Sequence, residues 1–314
     1  MNISMDDYKL WLREEGKRPN TVNRYLRIAA DFQEWHKAAA GREAFEPQLV
    51  SALDLQDWKT YLLDEATYQR TKEGDEQKYS ITSVNNSVKG IKVYFDFLKE
   101  AGAIPANPAD KLKPQKIQED EDEPRWLERA ERSRFLFYID NAELRKKNAW
   151  RFTRNRAISF VMMHAGLRVS EVVDLEPADL DFQDEILRVR NGKGGKSRIV
   201  EMNKDLIDAL QEWTRERGQP KTKKLFVSQR GGALTTDGVE HIFKQLRDKT
   251  GIADLTPHVL RHTFAHDLAE RGESLRTIAK LLGHSNINYT RKYVTPSRKE
   301  RKAAVNKLAG ERYS

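Results

Sequence analysis

The stretch TPHVLRHTFAHDLAERGESLRTIAKLLGH, residues 256–284, governs how the rest of the chain is read. Thr256 is a capping residue and Pro257 suits a first helical turn, so the pattern predicts a helix over 257–271. His258, His262 and His266 recur at i, i+4 and i+8 on one face of that helix. Arg261 stands three residues after His258, on the same side. Ser274 opens a second helix over 275–282, and Gly283 ends it as a C′ residue. One chemistry for such histidines is zinc binding, because a helical His-x-x-x-His pair can hold that metal. The hydrolase version needs Glu directly after the first His, where Val259 stands, and no cysteine exists to complete a structural site. A blander alternative is a helix whose histidines cap it or face the core.

Outward from this stretch the reactive residue types continue. Tyr293 follows His284 by nine residues, between Lys292 and Val294, and Tyr289 is a rival four residues earlier. Upstream, Arg168 follows Gly166-Leu167 and precedes Val169-Ser170-Glu171. Lys193 sits in Asn191-Gly192-Lys193-Gly194-Gly195, between runs containing Ile186, Leu187, Val189 and Ile199, Val200, Met202. Glycine-rich turn chemistry between β-branched runs predicts a hairpin. Helices are expected at about 127–139, 152–165, 204–217 and 236–249 around it, with a short helix near 286–294 and a basic one near 297–308.

The N-terminal segment carries helical spacing without a strand signal. Val22, Tyr25, Leu26, Ala29, Phe32 and Trp35 recur on one face after a start at Asn20 or Thr21. Further helices are expected over 53–63 and 85–98, with polar Thr67–Ser80 as a loop between them. Pro105, Pro108 and Pro114, the acidic run Glu119–Glu123 and Pro124 then break the pattern. The expected division is a helical domain over 1–113, a linker over 114–124 and a mixed domain over 125–314. The fold class is mainly α (α+β), with one small antiparallel sheet.

Charge follows the same division. Residues 1–120 hold 18 Lys/Arg against 20 Asp/Glu, and the remainder holds 38 against 28. All of the basic excess in a net charge of +8 therefore lies in the C-terminal part, which suits a polyanionic partner such as nucleic acid. The absence of cysteine excludes disulfides, thiol nucleophiles and thiolate metal sites, and fits a reducing cytoplasm. No apolar run reaches the roughly 18 residues needed to cross a membrane. Asp6 and Asp7 sit where a signal peptide would be apolar.

Together these boxes resemble the tyrosine recombinases, the phage-integrase family that includes Xer-like recombinases and integrases. His258-Val-Leu-Arg261-His262-Thr-Phe-Ala265, Leu281-Leu-Gly-His284 and Tyr293 look like its signature boxes. Ala165-Gly-Leu-Arg168-Val-Ser-Glu171 looks like its first arginine box, and Gly192-Lys193-Gly194 like its catalytic-lysine turn. The likeness covers roughly residues 125–295, with the helical N-terminal domain similar to the family's SAM-like core-binding domain. It implies that the two domains form a C-shaped clamp around DNA.

The resemblance also implies roles. Tyr293 would be the nucleophile that leaves a 3′-phosphotyrosyl link. Arg168 and Arg261 would hold the non-bridging oxygens, since a guanidinium fork matches phosphate and stays charged. Lys193 would protonate the 5′-oxygen, although Lys196 and Arg198 stand close by. His258 would act as general base or acid, since an imidazole titrates near neutrality. His284 would bond the phosphate. Glu171 would place Arg168, and His262 would pack behind the site. His266 departs from the small polar residue expected in its box and reads as a tolerated substitution. No metal or other cofactor is implied.

Expected partners are double-stranded DNA with inverted half-sites and three further copies of the chain, assembled on two DNA sites through the helix at 297–308. Arg18, Arg24, Arg27, Lys89, Lys92, Lys196, Arg198 and Lys292 are the candidate DNA contacts. A cytoplasmic, nucleoid-associated protein of a prokaryotic mobile element fits, since Thr67–Ser80 looks like an added loop. An inactive DNA-binding regulator on the same fold, and an enzyme that relaxes DNA without exchanging strands, are the alternatives.

Overall fold

Short polar residues placed one step ahead of apolar runs set the helix starts of this chain. The computed structural model describes residues 4–69, 76–116, 124–190, 197–284, 286–287, 290–291 and 302. The chain divides into two compact units, residues 1–121 and 122–314.

In the first unit, Ser4 and Asp7 form a reciprocal cap that opens α1 (Met5–Glu14). Pro19 opens α2 (Pro19–Ala40), and Gly41 closes it in the left-handed conformation. Ser51 and Asp54 repeat the reciprocal cap at α3 (Ala52–Asp64). Ser80 caps α4 (Ile81–Glu100). The apolar faces meet around Phe32, whose ring lies 5.2 Å from that of Trp58 and 5.7 Å from that of Phe95. Tyr8, Leu12, Leu55, Val84 and Ile91 complete a fully buried centre.

The expectation of an all-helical unit with a loop at 67–80 needs correction. Thr67–Gln69 (β1) and Glu76–Lys78 (β2) pair antiparallel, with Thr67 opposite Lys78. Three-residue strands with exposed Glu76, Gln77 and Lys78 carry no apolar alternation for a sequence reading to detect.

The second unit is built on α7 (Ala149–His164), which follows α5 (Arg129–Ile139) and α6 (Ala142–Lys147). Ala157 through Met163 are all buried, so this helix is enclosed on every side. Packed around it are α8 (Val169–Asp174), α9 (Lys204–Arg217) and α11 (Pro257–Glu270). α10 (Thr236–Thr250) packs on α5 and α8, and α12 (Leu275–Leu282) on α11.

The hairpin forms as β4 (Ile186–Val189) and β5 (Arg198–Glu201), with Leu187 opposite Val200 and Val189 opposite Arg198. A two-residue strand, β3 (Leu180–Asp181), extends it to three and was too short to be read. Leu187, Val189 and Val200 point into the core while Arg188, Ile199 and Glu201 are exposed, the period of two that a half-buried sheet imposes. The helices expected near 286–294 and 297–308 fall almost wholly outside the described residues. No described helix is long and apolar enough to cross a membrane.

Candidate active site

α7 and α8 are joined by a turn that only glycine fits. Gly166 has φ +61°, and a Cβ there would lie 2.4 Å from Cδ1 of Phe264. This tight passage brings Arg168, at the start of α8, against α11 and the end of α12. Arg261 projects from α11 and is 4% exposed. Its Nη1 donates to the Gly166 carbonyl, and its Nη2 donates to Leu282 O at 2.8 Å. Nη2 also lies 3.1 Å from Nε2 of His284. A guanidinium can only donate, so Nε2 accepts and the imidazole proton sits on Nδ1. That nitrogen is 2.8 Å from the hydroxyl of Thr290, which is itself fully buried.

Glu171 stands at the centre of this cluster and is 5% exposed. One oxygen accepts from Arg168 Nη1 at 2.9 Å, and the other from the Arg168 backbone N–H at 2.9 Å. Arg261 Nη1 is 3.8 Å away. Burial by itself would push this carboxyl up. The hydrogen bonds and charge of Arg198, joined by those of Arg168, outweigh that and hold it down at about 2. Glu171 is therefore an anion near neutral pH, and it accepts from both the side chain and the backbone of Arg168.

Arg198 is a correction. It stood among the candidate DNA contacts, yet it occupies the inward position of β5 and turns into the protein. Its Nη1 and Nη2 donate to the two Glu171 oxygens at 2.9 and 2.8 Å, and its Nε donates to Leu281 O at 3.0 Å. The period of two that places Val200 in the core was a signal for this, since Arg198 shares its face. Thr290 was also missed; nothing in its sequence neighbourhood marks it.

The other expected residues are distributed as follows. His258 is exposed on the first turn of α11, its ring 6.2 Å from that of His262. His262 is half-buried, and its Nδ1 donates to Arg125 O at 3.2 Å, tying α11 to the start of the unit. His266 is buried and stacks on Trp126 at 4.1 Å, a packing use for the unusual residue. Among the described residues the single cluster compact enough for a metal ion is His266, Asp267 and Glu270, and Asp267 there is ion-paired to Arg132. The three histidines of the zinc alternative do not converge. Lys193, Lys196, Tyr289, Lys292 and Tyr293 lie outside the described residues.

In the first unit Arg24 and Arg27 are exposed along α2. They line an open groove of about 880 Å³ with Ser83, Asn86 and Ser87 of α4. Arg27 also sits 3.6 Å from Asp31. Arg18 is exposed at the start of α2 and Lys89 is exposed on α4, and neither lines this groove. Lys92 on α4 donates from its Nζ to Asp110 O at 3.1 Å.

The model of the phage integrase family matches residues 125–300. The tyrosine recombinase XerA of Thermococcus kodakarensis is 31% identical over 319 residues, covering 99% of each chain. The tyrosine recombinase XerC of a Roseiflexus species is 32% identical, covering 87% of this chain and 88% of its own. The XerH site-specific recombinase bound to a palindromic difH substrate, in its post-cleavage complex, shares the fold with a TM-score of 0.71. It is 20% identical, with 92% of this chain and 80% of that one covered. With a family model matched over more than half its length and such relatives over nearly all of it, this chain belongs to the phage integrase family, the tyrosine recombinases.

Proposed function

We propose that the protein is a site-specific DNA recombinase that breaks and rejoins strands by transesterification at Tyr293. The phenolic oxygen of Tyr293 attacks the scissile phosphorus, the bond to O5′ breaks, and a 3′-phosphotyrosyl ester forms. His258 takes the phenol proton, and Lys193 supplies one to the departing 5′-oxygen. Arg168 and Arg261 hold the non-bridging oxygens and stabilise the charge that grows on them, and His284 accepts from the Arg261 guanidinium and steadies it. A 5′-hydroxyl from another strand then attacks the ester and releases Tyr293. The bond energy is kept in the protein ester, so no nucleotide cofactor enters. The guanidinium and ammonium groups supply the positive charge that a metal supplies in other phosphoryl transfers.

The observation that carries this reading is the meeting of Arg168 and Arg261 at one buried carboxylate, with His284 against Arg261. The three come from boxes far apart in the chain. A charged cluster of this kind, desolvated and anchored to backbone carbonyls, is costly to build for stability alone. The substrate is double-stranded DNA with inverted half-sites. The first unit acts as the core-binding domain, with the Arg24–Arg27 groove on its DNA side. Four protomers act on two sites, joined through the basic segment at 297–308.

A suicide-substrate assay tests the reading. A nicked duplex carrying the element's end is incubated with wild type and with Tyr293→Phe in the presence of EDTA. A denaturation-resistant protein–DNA adduct in wild type alone is the expected result. An adduct that persists in Tyr293→Phe moves the nucleophile to Tyr289. Binding of the DNA with no adduct in either protein leaves an inactive DNA-binding regulator as the function.

A further inference from the structure

We propose that Arg198 is a positioning residue for strand cleavage, which sets the phosphate-binding arginines and His284 through Glu171 and the end of α12. The proposal rests on the function above.

Three observations meet at this side chain. The first is its fork on Glu171, a two-point contact that fixes the plane of the carboxylate. That carboxylate also receives Arg168 through side chain and backbone, and it lies 3.8 Å from Arg261 Nη1. Its orientation therefore sets both arginines.

The second is the end of α12. Arg198 Nε holds Leu281 O while Arg261 Nη2 holds Leu282 O, so two guanidiniums take adjacent carbonyls that a helix terminus leaves without intrahelical partners. His284 begins two residues later. Gly283 between them is left-handed at φ +64°, and a Cβ on it would lie 2.9 Å from Arg198 Nη1. The glycine ends the helix and also leaves room for the guanidinium to reach Glu171.

The third is charge. Among the described residues the cations paired with Glu171 are Arg168 before α8, Arg198 on β5 and Arg261 on α11, while Asp174, Glu176, Asp179, Arg190 and Lys224 share a small cavity with it. Without Arg198, the buried carboxylate would draw on the two arginines that must face the phosphate. With Arg198 as its principal partner, it orients them and leaves their charge available to the transition state.

The test uses the full chain and the nicked duplex in single turnover, with thermal melting and DNA affinity measured beside the cleavage rate. Arg198→Met is expected to bind DNA near wild-type affinity and to cleave about 100-fold more slowly. It should also show a new acid limb in its pH–rate profile. Burial is no longer offset by Arg198, so the Glu171 carboxyl rises, and as pH falls it takes up a proton and releases Arg168. Wild type should show only the acid-side fall of its general base, without this second limb. Glu171→Gln removes the titrating group, so Arg198→Met/Glu171→Gln should lose the limb and be no slower than the slower single variant.

Arg198→Lys keeps the charge and loses the fork, and is expected to cleave about tenfold more slowly. It carries the test if Arg198→Met does not fold. Wild-type cleavage by a folded Arg198→Met or Arg198→Lys overturns the proposal. So do single effects that multiply in the double variant, or an Arg198→Met profile without the acid limb. If wild type itself forms no adduct, the proposed function falls, and this inference falls with it.

Discussion

Replacing Gly166 by alanine perturbs the turn on which the site depends, and its cost can be worked from two terms. The backbone there has φ +61°, a left-handed conformation that costs an L-residue about 1–2 kcal/mol. The new methyl would also lie 2.4 and 2.7 Å from Cδ1 and Cε1 of Phe264, and 3.0 Å from Cδ2 of Leu282. Phe264 and Leu282 are buried, so relief requires a backbone or core shift worth about 1–3 kcal/mol. The sum is about 2–5 kcal/mol.

Gly251 provides the control. It has φ +67°, and a Cβ added to it would meet nothing within 4 Å, so Gly251→Ala carries the backbone term alone. Urea denaturation followed by circular dichroism should place Gly166→Ala below Gly251→Ala by about 1–3 kcal/mol. Because the Gly166 carbonyl receives Arg261 Nη1, the same variant should slow adduct formation while Gly251→Ala does not. Equal stability for the two variants would refute the steric argument. A destabilised Gly166→Ala that cleaves at the wild-type rate would refute the link from this turn to Arg261.

Three more outcomes follow from the geometry. The Glu171 carboxyl is held at about 2 when folded against an ordinary value of 4.5, so its contribution, of order a few kcal/mol, is present above pH about 4.5 and lost as pH falls toward 2. The melting temperature of wild type should accordingly converge on that of Glu171→Gln across that window, and a constant gap would contradict it. Thr290→Val removes the acceptor for the Nδ1 proton of His284, so adduct formation should fall about tenfold with little change in DNA affinity, as read in the suicide-substrate assay. Arg24→Ala/Arg27→Ala should weaken DNA binding and flatten the plot of log affinity against log salt by about 2, since each lost phosphate contact removes about one released counterion. An unchanged slope would place the groove away from DNA.

Much of the fold was legible because its signals are local. The starts and stops of α9, α10, α11 and α12 follow from caps such as Asn203, Thr235, Thr256 and Ser274 and from Gly251 and Gly283, each acting on residues within one turn of itself. The β4–β5 pair followed from β-branched runs on either side of a glycine-rich turn. The strands β1, β2 and β3 escaped because two or three residues are too few to show a period. Their pairing depends on a partner that the local sequence does not display.

The site divides along the same line. Arg168, Glu171, Arg261 and His284 could be picked out as residue types in boxes, and Arg168 with Glu171 even as a pair, because three residues separate them on one turn. That Arg261 and His284 join them, that Thr290 orients the imidazole, and that Arg198 serves Glu171 instead of DNA were decided by tertiary structure. Each of those contacts crosses between elements, and its energy comes from burying charged groups whose partners lie elsewhere in the chain. The sequence by itself determined the reactive groups and the helices that carry them. Only packing decided which arginine was committed to which oxygen, since a guanidinium reads the same in the sequence whether it meets solvent, a phosphate or a buried carboxylate.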